Sequence, residues 1–277
     1  MKTVVSFGGG VQSTALAIMC IDGRLPRPDL FMFADTGDEP VAVYEHVQKW
    51  KHILECEGFE FKTVCKQPEE SLSEHVLGRL RSNKAGISYP PLYVERKQEH
   101  RDGRMPLWRG CTRTFKSRVL DQETKKWASI PRGHKGPPMV EKWLGISIDE
   151  SSRMRMSTEK WYTFKYPLID LRISRTDCIG IIKKAGESAP RSACVYCPFH
   201  SNREWRRVRS VPEDWNKAVN FEKELHRLWD EKGGFGGLKS RPTLHESGVP
   251  LSEANIDEDQ VSLFSNWDNE CAGICGV

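Results

Sequence analysis

The first third of the chain alternates short apolar runs with longer stretches of helical period. Thr3-Val4-Val5-Ser6 reads as a short strand, and Gly8-Gly9-Gly10 breaks it. Val11 to Cys20 then has the pattern of a buried helix. Asp29 to Ala34 predicts a second strand and Phe59 to Val64 a third. Between these two, Val43, His46, Val47, Trp50 and Ile53 fall on one stripe of a helix over Val41 to Cys56. Strands alternating with helices predict an α/β fold, a mostly parallel sheet of Rossmann-like type with flanking helices.

Further along the pattern weakens. Gly78 to Gly110 is polar and basic, and reads as a lid-like insertion (78–110) over an opening. Thr112 to Trp127 predicts a helix, and Val140 to Ile148 a strand. A helix is expected to start at the cap-like Ser174 or Thr176 and end near Gly186, and an amphipathic one to run from Pro212 to Lys232. Residues 1–185 are expected to form one domain, and 186–277 a helical, cysteine-bearing C-terminal region.

Composition changes the picture at one point. The 277 residues carry 42 Lys and Arg against 38 Asp and Glu, a net charge of +4 that does not by itself argue nucleic-acid binding. No apolar run approaches a membrane span, and Met1 to Ser6 leads into glycines and not into a secretory apolar segment. The expectation is a cytoplasmic protein with no membrane partner. Disulfides are rare there, so nine cysteines ask for another explanation: buried small hydrophobes, metal ligands or reactive thiols.

Four segments carry candidate chemistry. A glycine turn between strand and helix lets backbone N–H groups converge on an anion, with Ser13 and Thr14 adding hydroxyls. Neither the dinucleotide fingerprint nor the Walker A loop fits: Ser13 stands where the first needs glycine, and Val11-Gln12 where the second needs Lys-Ser or Lys-Thr. Asp35-Thr36-Gly37 closes the second strand, the edge where open α/β sheets bind ligands, although Asp35 could equally cap the next helix. Asp38 and Glu39 read as acidic residues of that helix's first turn. Arg109 to Lys116 sets Cys111 among cations, which favour a thiolate; a solvated helix start is the alternative. Cys194-Val195-Tyr196-Cys197-Pro198 is a CxxC turn suited to zinc, a redox pair or half of a cluster. Cys20, Cys56, Cys65 and Cys178 read as core thiols. Arg203, Arg206, Arg207 and Arg209 are a basic run that is either a nucleic-acid surface or a solvated face.

Ser6-Phe7-Gly8-Gly9-Gly10-Val11-Gln12-Ser13-Thr14 resembles the pyrophosphate-binding loop of the PP-loop superfamily, which includes ATP pyrophosphatases and the sulfonucleotide (PAPS/APS) reductases. In the alignment Gly9, Gly10 and Ser13 match, Gly8 replaces a serine, and Gln12 replaces the usual aspartate. The elements that follow, in family order, are Asp35-Thr36-Gly37, Cys111 with Lys116, Gly145-Ile146 leading to Glu150-Ser151 and Arg153, and the CxxC with Trp205.

The resemblance implies the adenine nucleotide alpha hydrolase-like fold. It implies an adenine nucleotide (PAPS, APS or ATP) held by Ser6, Gly8, Gly9, Gly10, Gln12, Ser13, Asp35, Thr36, Gly37, Arg113 and Glu150, with Lys116 and Arg153 meeting its oxyanions. It also implies a [4Fe-4S] cluster on Cys111, Cys194 and Cys197, with zinc as the runner-up. Cys271 and Cys275 would divide the roles of fourth ligand and nucleophile. The upstream site here has one cysteine where cluster-bearing members have two, and the terminal motif departs from the reductases' own. The activity implied is a PAPS/APS reductase-like sulfur chemistry drawing electrons from a thioredoxin-like donor. The alternatives are an ATP-using enzyme, with Mg²⁺, that adenylates and thiolates or otherwise modifies an RNA or DNA base, and a non-catalytic nucleotide-binding protein.

Overall fold

The computed structural model describes residues 1–67, 70–83, 89–98, 101–235, 238 and 240–258. The protein is α/β. Its main sheet has five parallel strands in the order β3-β2-β1-β6-β7: β1 (Lys2–Ser6), β2 (Leu30–Asp35), β3 (Phe61–Cys65), β6 (Val140–Trp143) and β7 (Tyr162–Lys165). A separate antiparallel hairpin pairs β4 (Tyr93–Gln98) with β5 (Arg101–Pro106). No helix among the described residues is long and apolar enough to cross a membrane.

The pleat explains how both sheet faces are covered. Side chains alternate along a strand. Val5 and Phe7, with Phe31 and Phe33, join one core with α1 (Val11–Ile21), α2 (Val41–Cys56) and α6 (Arg175–Lys184). Val4, with Leu30, Met32 and Ala34, joins the other, under α4 (Arg118–Trp127) and the aromatic pair Trp161 and Tyr162. A third cluster lies off the sheet. It joins α3 (Leu72–Arg81), α7 (Asn202–Arg209) and α8 (Pro212–Lys232), and its buried members include Phe115, Tyr196 and Trp205.

β1 is flanked by β2 on one side and by β6 on the other, so the chain reverses its direction of travel across the sheet at β1. The crevice outside the carboxyl ends of two such strands is where open α/β sheets bind ligands. The loop after β1 and the segment after β6 therefore share one edge.

Several local expectations change. The strand predicted to Ile148 ends at Trp143; residues 144–147 follow outside regular structure, and a 3-10 turn begins at Ile148 and runs to Arg153. The helix predicted from Thr112 is present, but its first part, Thr112–Ser117, is π-helical. The stretch 78–110 carries elements that its polar composition hides: the end of α3, the hairpin, and the buried Leu92 and Val94. Cys20 and Cys178 are buried as expected, whereas Cys56 and Cys65 are exposed. Cys56 falls at the solvent-facing last position of α2 and Cys65 at the end of β3, so neither belongs to the core.

Candidate functional site

The glycine loop is locked from below. Gly9 has φ +72, and a Cβ there would stand 2.8 Å from Val47 Cγ2 and 3.3 Å from Val43 Cγ1, so the loop lies directly on α2. Thr14 Oγ1 donates to the Gly10 carbonyl at 2.8 Å and lies 2.8 Å from His46 Nε2. Its proton being used, Thr14 accepts from that imidazole. Burial pushes His46 down to about 4, which keeps the ring neutral against Phe7, on which it stacks. Ser13 Oγ accepts from Gly10 N at 3.2 Å, and Ser192 Oγ donates to the Gly8 carbonyl.

Gln12 bridges the crevice. Its Nε2 donates to Glu150 Oε2 at 3.0 Å, and its Oε1 accepts from Arg175 Nη1 at 2.9 Å. Arg153 Nη1 donates to the same Glu150 Oε2 at 2.6 Å. Gly145 makes the approach feasible, because a Cβ there would lie 3.2 Å from Ser13 N. A carboxylate, an amide and two guanidinium groups thus link the segments after β1 and β6 with the start of α6. Ser174 caps α6, accepting from Asp177 N at 3.1 Å, and so fixes where Arg175 begins.

The second-strand loop is more deeply built than its composition implies. Asp35 does not cap α2, whose N-cap is Pro40. Its Oδ1 accepts from Gly37 N and from Tyr44 Oη, each at 2.8 Å. Asp38 and Glu39 are buried, not solvated first-turn acids. Asp38 accepts from Tyr196 Oη, from Ser73 N at 2.7 Å and Ser73 Oγ at 3.1 Å, with Lys217 Nζ 3.4 Å away. Desolvation raises its pKa despite these donors. Val195 N donates to the Asp38 carbonyl at 3.0 Å, tying the CxxC turn to this loop.

Glu39 joins the glycine-loop side to the thiol side. Its Oε1 is 2.9 Å from Lys116 Nζ, the two side chains being 0% and 7% exposed. Thr36 Oγ1 is 3.2 Å from that oxygen, and Cys194 Sγ is 3.7 Å away. Lys116 also lines two cavities. One lies at the ends of β1 and β2 among Ser6, Gly8, Ala34 and Leu120. The other is lined by Thr36, Arg109, Thr112 and all three of Cys111, Cys194 and Cys197. Thr112 Oγ1 and Glu39 Oε2 are buried with no hydrogen-bond partner among the described residues.

The CxxC turn closes with Cys197 N donating to the Cys194 carbonyl at 3.0 Å. His200 Nε2 donates to that same carbonyl at 3.0 Å. Burial pushes His200 down to about 3, so it is a neutral, structural donor here. Among the described residues, no three His, Cys, Asp or Glu side chains are grouped closely enough to hold a metal ion.

The structure brings the glycine loop, Gln12, Glu150 and Arg153 to one edge, and Cys111, Cys194, Cys197, Thr36 and Lys116 to one pocket. Asp35 and Gly37 stand beside the latter in the same loop. Arg113 is exposed and lines neither cavity. Cys271 and Cys275 lie outside the described residues. Pattern reading named Glu39 only as a first-turn acid downstream of Asp35-Thr36-Gly37 and His46 only as part of the α2 stripe, and it gave Arg175 no role in the site. The signal for Arg175 was its place directly after the cap of α6, and that for Glu39 its place just after the motif. Comparison with models of known protein families finds no match, and comparison with curated proteins finds none.

Proposed function

We propose that the protein is a PP-loop enzyme of the sulfonucleotide-reductase type, with the adenine nucleotide alpha hydrolase-like fold, which binds an adenine nucleotide at the crevice and uses a thiolate on its sulfur. The observation that carries this reading is Lys116. One buried cation borders both the cavity at the glycine loop and the cavity lined by three thiols. A phosphosulfate spanning the two would meet it between phosphate and thiol.

The state of Gln12 favours this reading over ATP cleavage. The loop carboxylate that would help to hold Mg²⁺ is an amide here, and the nearest carboxylate, Glu150, is engaged by Gln12 and Arg153. A terminal thiolate, Cys271 or Cys275, attacks sulfur; the S–O bond to phosphate breaks and the nucleotide leaves as its phosphate anion. A dithiol donor of thioredoxin type then releases sulfite and is left as a disulfide, which supplies the two electrons. Arg153 and Arg175 orient the oxyanions.

Soft thiolates at Cys111, Cys194 and Cys197 are the right donors for an iron–sulfur group, with zinc second. The remaining ligand would be a terminal cysteine. Such a group would supply charge and redox chemistry beside Lys116.

The test is a nucleotide screen on protein purified without oxygen. Sulfite release from PAPS or APS with a dithiol supports the reading; pyrophosphate or AMP release from ATP, with RNA or DNA, replaces it by base modification. Iron and zinc assays on Cys194→Ser check the pocket, because full metal content in that variant removes Cys194 from the ligand set.

A further inference from the structure

Charge is unevenly spread along this chain. Eleven of its 42 Lys and Arg fall within residues 79–118, against three of its 38 Asp and Glu, so the remainder is net acidic. The described part of that segment borders the thiol pocket through Pro90, Pro91, Arg109 and Cys111. Directly before Arg109 stands Trp108, 86% exposed, among the most exposed large apolar side chains of the described structure. Arg113 and Arg118 follow on the π-helical turn and at the start of α4, both exposed and with no ion pair among the described residues.

Of the other basic run, Arg203 is exposed and the remaining three arginines are engaged within the fold. In α7, Arg206 Nη1 donates to the Ile256 carbonyl at 2.7 Å, Arg207 Nε donates to Glu204 at 2.7 Å, and Arg209 pairs with Asp257. Sequence density of arginine points to α7, whereas Arg113 and Arg118, both without an ion pair among the described residues, respectively directly follow Thr112 and closely follow Lys116 of the pocket lining in the chain.

From these placements we propose that the rim formed by Trp108, Arg113 and Arg118 is a docking surface for a single-stranded nucleic acid, which it presents to the mouth of the thiol pocket. An exposed indole gives a base a stacking face without sequence preference, and flanking guanidinium groups neutralise the phosphates. A mononucleotide does not account for cations extending past the pocket to Arg118, and an acidic protein surface does not call for a bare indole. The surface stands on charge and exposure, independently of the sulfonucleotide reading.

Fluorescence anisotropy with labelled single-stranded DNA and RNA tests it, with heparin as a polyanion lacking bases. Trp108→Ala weakens strand binding about ten-fold and leaves heparin binding and PAPS or ATP titrations unchanged. Arg113→Glu with Arg118→Glu weakens both strand and heparin binding and flattens the salt dependence. Arg203→Glu, on exposed α7 surface, changes neither. Circular dichroism confirms that each variant folds. The proposal is overturned if no strand binds at low salt, if duplex DNA binds more tightly than either single strand, if Arg203→Glu matches the rim variants, or if Trp108→Ala instead removes mononucleotide binding.

Discussion

At the scale of single residues, burial decides what a charge is for. Lys116 and Glu39 are both removed from solvent, and each is tolerable only because of the other. Lys116→Met is expected to lose about 3–5 kcal/mol, because it strands the Glu39 carboxylate in a buried site whose Oε2 already lacks a partner. Adding Glu39→Gln should recover much of that loss, and urea unfolding of the two variants reads both. A Lys116→Met protein as stable as the parent would mean that the buried pair adds nothing to stability. Gly9 permits a cleaner experiment, because Gly23 shares its backbone, at φ +78 against +72. Alanine at either position pays the left-handed strain, about 1–2 kcal/mol. Only at Gly9 does the new methyl meet Val47 at 2.8 Å, while at Gly23 nothing lies within 4 Å. Gly9→Ala should therefore have the lower urea midpoint, the difference measuring how tightly the loop sits on α2.

At the scale of elements, apolar period made the early βα units legible and failed where burial is carried by few residues. The stripe of α2 was readable because Val43, His46, Val47 and Trp50 recur at helical spacing and are all buried. α7 was not, because only Trp205 and Val208 supply its large apolar contacts among four arginines. β7 is four residues long and only its first is buried, leaving no alternation to see. Of the site, the glycine loop and the cysteines were legible because their chemistry is unusual by residue type. The Glu39–Lys116 pair was not, since its members are far apart in sequence and each alone resembles a surface charge. Ser174 shows the opposite case, a cap visible in sequence whose consequence was hidden. Ser174→Ala should cost about 1 kcal/mol of stability in urea unfolding. It should also weaken nucleotide binding in calorimetry, because α6 then no longer fixes Arg175 against Gln12. Loss of stability without loss of binding would separate the cap from the site.

At the scale of the whole molecule, two buried groups on separate cores give stability opposite slopes with pH. His46, in the core under α1 and α2, titrates at about 4 in the fold, against an ordinary 6.5. The unfolded chain binds that proton more readily, so the stability gained from a neutral His46 is complete above pH 6.5 and falls as pH drops towards 4. Glu222, on α8 with Leu244 N and Leu251 N as donors, is pushed up to about 7 by burial, against 4.5. The fold binds that proton more readily, so its contribution is complete below pH 4.5 and is lost as pH rises through 7. Each slope is about 1.4 kcal/mol per pH unit. His200, at about 3, has the same sign as His46 and acts from pH 6.5 downwards, so between pH 4.5 and 6.5 two histidines act against Glu222, and below 4.5 they act without that compensation. Urea midpoints measured across this range should thus fall gently from pH 6.5 to 4.5 and more steeply just below it. His46→Gln, which removes one titrating group, should be less stable at neutral pH yet show stability level, not falling, as pH drops from 6.5 to 4.5, because Glu222 is then offset by His200 alone. Parallel curves for the variant and the parent would show that the fold does not hold His46 neutral.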